Sequence, residues 1–138
     1  MAAQIHPDIR AMYEQVQKHL AELKSLQQKK NKLIETRQQL GAQKNENELV
    51  RDELEHIDDS GCVYKLIGPV LVSQDLNDAK MIVGKRLEYI LGEIKRTDST
   101  IEDIEKKEEG ERQLIVELQR KMQDRQNQIV AQQQQQHA

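Results

Sequence analysis

Aromatic side chains are nearly missing from this chain: its 138 residues include three Tyr, no Phe and no Trp. With 33% of residues charged, that scarcity excludes the wide hydrophobic core of an ordinary globular domain. A single cysteine, Cys62, excludes an internal disulfide and agrees with a reducing compartment. It is expected to serve as a small hydrophobe entering a strand, because the only histidine near it in sequence, His56, lies across a helix stop. No apolar run approaches the ~20 residues of a membrane span, and Met1 to Arg10 lacks the apolar stretch of a signal peptide. The chain is therefore expected to be intracellular and soluble. An excess of one charge is also missing: the net charge is −3, with Lys and Arg interleaved among Asp and Glu, so nothing offers a field for nucleic acid.

Catalytic patterns are equally scarce. His6, His19, His56 and His137 are too scattered for a local metal motif. Gly84-Lys85 suggests a phosphate loop only superficially, since the preceding glycine is lacking, Arg86 stands where Ser or Thr belongs, and the segment lies within a heptad pattern. The many carboxylates fall on solvated helix faces beside Lys or Arg, where no pocket perturbs them. No enzyme activity, cofactor or metal is expected.

What is present is seven-residue periodicity. A first arm opens at Pro7 and Asp8, residues suited to a helix N-terminus. One heptad frame then runs through Ile9, Met12, Val16, His19, Leu23, Leu26, Lys30, Leu33, Arg37, Leu40, Lys44, Asn47, Arg51 and Leu54. The arm stops at Asp58-Asp59-Ser60-Gly61, with Gly61 expected as a left-handed C-terminal cap. A second frame runs through Val83, Leu87, Ile90, Ile94, Thr97, Ile101, Ile104, Glu108, Glu111, Ile115, Leu118, Met122, Arg125 and Ile129. Its helix begins near Ser73 to Asp75, either of which can cap it, with Asp78 favouring the dipole. Arms of roughly 75 to 85 Å fold back as an antiparallel pair, bringing together residues whose numbers sum to about 135. Lys30 then falls within a turn of Glu108. Two readings of these seam charges stand: a solvated stretch where the coil frays, or a device in which Lys30 with Glu108 and Glu111 fixes register.

Between the arms lies one β-branched island, Cys62 to Val72, with Gly68-Pro69 as its turn. Val63, Tyr64, Leu66, Ile67, Val70, Leu71 and Val72 leave neither face of this hairpin polar. An isolated two-stranded hairpin is marginal in water, so its missing strands are expected from other chains and these seven residues form the oligomerisation surface. The expected fold is mainly α: a long antiparallel helical hairpin, or coiled coil, with a two-stranded β-hairpin at its bend joining an intersubunit β-barrel. It forms one domain over 1–138, with helix 1 over about 7–60, the hairpin over 62–73, helix 2 over 75–131 and a disordered, glutamine-rich tail over 132–138.

The island and the start of the second arm, "VYKLIGPVLVSQDLNDAKMIVGKRLEYI" from Val63 to Ile90 with "EIKR" at Glu93 to Arg96, resemble the beta-class subunits of prefoldin. The resemblance is specific over roughly residues 47 to 96; beyond that it rests on Gln-rich, heptad-patterned helices. The glutamine tail and Cys62 depart from it. It implies a cochaperone of two alpha-class and four beta-class subunits whose hairpins build a double β-barrel. The coil ends would hold unfolded actin and tubulin and deliver them to the cytosolic group II chaperonin without ATP hydrolysis. In this chain the client-binding ends would carry Ile5, Ile9, Met12, Val16, Leu118, Met122, Ile129 and Val130, with the methionines suited to a promiscuous grip. The same residues also suit closure of the coil's last turns. A structural coiled-coil adaptor, oligomerising through the hairpin and presenting its arms to folded partners, is the competing reading.

Overall fold

The computed structural model describes residues 4–58 and 60–136. The order is α1 (Pro7–His56), β1 (Val63–Ile67), β2 (Val70–Gln74) and α2 (Leu76–Gln136). Pro7 is the first residue of α1, where its missing N–H leaves no bond unmade. The cap is His6, whose Nδ1 accepts the Asp8 N–H at 3.2 Å while its carbonyl accepts the Arg10 N–H at 3.0 Å. Ser73 belongs to β2, so Asp75 alone caps α2: its Oδ2 accepts from Asp78 N–H at 3.3 Å and its carbonyl from Ala79 N–H at 2.9 Å.

Two boundaries and one cap differ from expectation. Helix α1 ends at His56 rather than near 60, and α2 runs to Gln136 where an irregular tail was expected from 132. Low complexity suggests disorder, yet glutamine is a good helix former and extends a helix already nucleated upstream; His137 and Ala138 lie outside the described residues. Gly61 is not left-handed. Its N–H donates to the Asp58 carbonyl at 2.9 Å, and a Cβ there would stand 2.2 Å from Ile57 Cγ2. Glycine is needed at this position for close approach, not for handedness.

Strands β1 and β2 pair antiparallel, with Val63 opposite Gln74, Lys65 opposite Val72, Leu66 opposite Leu71 and Ile67 opposite Val70. The two-residue turn has Gly68 at φ 59° followed by Pro69. Positive φ at the first turn residue and the fixed negative φ of proline at the second correspond to a type II′ turn, the kind that follows strand twist.

Contacts gather the chain into two compact units: the chain up to Lys32 with the chain from Glu102 on, and Leu33–Ile101. In the second, Leu54, Ala79, Val83 and Leu87 form a buried core against which Ile57, Val63 and Leu76 pack. Ile90, Ile94 and Thr97 continue the buried line along α2. In the first unit, Val16, Leu26, Ile104, Glu108 and Ile115 are buried. Every position of both heptad frames is at least half-buried except Arg51.

Candidate functional site

The hairpin's alternation sends Val63, Lys65, Ile67, Val70, Val72 and Gln74 to one face and Tyr64, Leu66, Leu71 and Ser73 to the other. At its root this sheet meets the helices through Val63, which packs on the Leu54 core. Further out both faces are open: Leu66 is 66% exposed and Leu71 65%, and Tyr64, Ile67, Val70 and Val72 are exposed with them. Six large apolar side chains on ten strand residues, uncovered on both sides, make a surface with the composition of an interface core. A shallow groove beside it is lined by Val50, Leu54, Tyr64, Leu66 and Arg86. Cys62, expected inside the first strand, stands exposed one residue ahead of β1.

The eight residues expected at the coil ends are divided by the structure. Ile5 and Val130 are exposed, Ile5 at 61%. Ile9, Met12, Leu118, Met122 and Ile129 are half-buried in the seam, and Val16 is buried within it. An ion pair between Arg125 Nε and Asp8 Oδ2 at 3.0 Å crosses the helices there. Contact with another chain through the seam residues requires the helices to part; Ile5 and Val130 are accessible as they stand.

Cross-helix pairs mark the register. Asp8 meets Arg125, His19 Nδ1 lies 2.6 Å from Glu111 Oε2, Lys30 Nζ lies 2.8 Å from Glu108 Oε1, and Arg37 Nε donates to Asp98 Oδ1 at 2.8 Å. Their residue numbers sum to values from 130 to 138, which matches the expected antiparallel register. Glu111 takes His19 as its partner rather than Lys30, so the polar stretch consists of two separate pairs. Glu108 is wholly buried, and its Oε1 has no hydrogen-bond partner: Lys30 neutralises it without the direction of a hydrogen bond.

Among the described residues, no group of three His, Cys, Asp or Glu could hold a metal, and no helix is long and apolar enough to cross a membrane. Among the described residues the Asp58 carboxyl is shifted: it is held below its ordinary value of 3.8, chiefly because Ser60 Oγ donates to its Oδ1 at 2.5 Å, with the Ser60 N–H adding a second bond at 3.1 Å.

A family model for prefoldin subunits matches residues 17–125. Prefoldin subunit 6 of Mus musculus is 43% identical over 116 residues, covering 81% of this chain and 91% of the mouse protein. Prefoldin subunit 6 of Arabidopsis thaliana is 39% identical over 115 residues, covering 83% of this chain and 89% of the plant protein. Among solved structures, the prefoldin beta subunit from Thermococcus strain KS-1 matches with a TM-score of 0.65 at 21% identity, covering 86% of this chain and 96% of that one. At that identity the match speaks for the fold: two long helices with a two-stranded antiparallel hairpin between them. The chain belongs to the prefoldin subunit family.

Proposed function

We propose that this chain is a subunit of a hetero-hexameric, ATP-independent cochaperone of the cytosol, joined to alpha- and beta-class prefoldin subunits through its hairpin. The observation that carries this is the uncovered hairpin. At roughly 25 cal/mol per Å² of apolar surface buried, six large side chains exposed on a two-stranded sheet favour completion by strands of other chains. A shared barrel does this and removes the sheet edges. The coil ends then hold unfolded proteins, actin and tubulin among them, and pass them to the group II chaperonin, with Ile5, Ile9, Met12, Val16, Leu118, Met122, Ile129 and Val130 as the apolar grip. Work of this kind needs no catalytic group.

The test is client release. Replacing Ile9, Met12, Met122 and Ile129 together with Ser is expected to leave the oligomer intact, with parental helicity by circular dichroism. Release of denatured actin should accelerate roughly tenfold or more, since burying even one such side chain is worth about 1.5 to 3 kcal/mol. An intact oligomer that releases actin at the parental rate would exclude this chain's coil ends as client contacts and favour the adaptor reading, in which the seam residues only close the coil.

A further inference from the structure

The seam around Glu108 carries more polarity than a coil needs for closure. Glu108 sits at a frame position, 0% exposed, in the unit that also buries Leu26 and Ile104. One carboxylate oxygen faces Lys30 at 2.8 Å without a hydrogen bond; the other has Arg112 at 3.4 Å. Three residues on, Glu111 pairs with His19, and Gly110 between them weakens the helix by about 1 kcal/mol relative to Ala. A leucine at position 108 would serve packing better, because exchanging a buried ion pair for apolar residues is often neutral or stabilising.

We propose that Glu108 and its partners form an opening point: the charge stored in the closed seam lowers the work of parting the helices outward of it, while the two pairs ensure closure in one register. Parting the helices returns Glu108 and Lys30 to water and recovers their desolvation cost, whereas parting an apolar layer recovers nothing. The two pairs together discriminate between registers as neither does alone. A seven-residue slip that brings Arg37 opposite Glu108 leaves Glu111 facing Leu26; the opposite slip leaves Glu108 facing Leu23 and Glu111 facing Met12. Each wrong register strands a carboxylate. The inference deepens the capture reading and rests on it only for the use made of opening, which would expose seam residues such as Met12 and Met122 to a client.

Hydrogen exchange on the full-length protein tests opening with no client present. Lys30→Leu together with Glu108→Leu should slow exchange of amides in 112–130 about tenfold or more and leave 76–97 at the parental rate. Lys30→Leu alone should do the reverse, accelerating exchange in 112–130 by about tenfold or more, because it strands the buried carboxylate. This change of sign is the signature. If both variants slow exchange, added hydrophobicity rather than the buried charge governs opening and the proposal fails; it fails equally if neither alters 112–130. Slowed exchange in the double variant with an unaltered actin release rate would uphold the opening point and count against the capture reading.

Discussion

The two compact units place different charged residues in their seams. In Leu33–Ile101, α2 supplies the apolar side of the seam, with Val83, Leu87, Ile90 and Ile94 buried, while α1 offers Arg37, Lys44 and Arg51 at frame positions. In the other unit both helices bury apolar residues, Val16 and Leu26 from α1 and Ile104 and Ile115 from α2, and the acidic frame residues Glu108 and Glu111 lie on α2. The polar members fare differently. Side chains of Arg37, Lys44 and Arg51 remain 38 to 46% exposed, because a long aliphatic stem covers the seam while its charged head reaches water. Glutamate has a short stem. The Glu108 side chain is 1% exposed and must be neutralised where it lies. A basic residue in a seam thus costs little, while an acidic one sets up a local weakness and a demand for one particular partner.

The comparison breaks most visibly at the hairpin, which belongs to the unit with the more apolar α2. Leu71→Asp with Val72→Asp places a charge on each face of the sheet, since Leu71 pairs with Leu66 and Val72 with Lys65. Both side chains are exposed in the single chain, so helicity by circular dichroism should stay at the parental level. Assembly should be lost, because each unpaired charge buried between subunits costs several kcal/mol. Mass measurement by size-exclusion with light scattering decides it; an intact hexamer in this variant would sink the assignment of the hairpin to a shared barrel.

A smaller effect sharpens the difference between the seams. Leu87 is buried in the core at the hairpin's root, whereas Leu118 is half-buried. Leu87→Ala should cost about 2 to 5 kcal/mol, and Leu118→Ala about half of that or less, since less apolar area leaves water there. Thermal unfolding of the two variants in parallel checks the ratio, and equal losses would mean that the two seams are packed alike.

Much of this was legible in the sequence because the frames rest on periodicity, which the backbone enforces over many turns. Val83, Leu87, Ile90, Ile94 and Thr97 fall on the buried line as the spacing requires, and the turn at Gly68-Pro69 is set by the φ that each residue allows. Features that depend on side-chain reach were not legible. The spacing placed Glu111 near Lys30, but a seam residue chooses among several neighbours within a turn, and His19 is the one in reach. Gly61 reads as a left-handed cap from its position after Asp58, although its role depends on where the Ile57 side chain lies. The His6 cap had no signal beyond its place before Pro7, because histidine is not a usual capping residue. At the coil ends, heptad position identifies the residues that can line a seam and does not say when the seam is open; of the eight residues expected there, Ile5 and Val130 are the exposed ones.

The smallest expected effect lies at the exit from α1, where Asp58 accepts both hydrogen bonds from Ser60. These bonds favour the charged carboxylate and hold its pKa below the ordinary 3.8. Because the folded value is depressed, the stabilisation is present in full above the unfolded value and is lost as pH falls through the folded one. The window therefore lies below 3.8, so nothing at this residue alters stability near neutrality. Ser60→Ala removes the hydroxyl, the largest of the causes, and leaves the backbone N–H groups of Ser60 and Gly61 in place. NMR titration of the Asp58 carboxyl should show its pKa rising toward 3.8 in the variant without reaching it, while the parent titrates lower. Equal values in the two proteins would mean that the hydroxyl does not hold the carboxylate, leaving the backbone bonds from Ser60 and Gly61 to order the chain between α1 and β1.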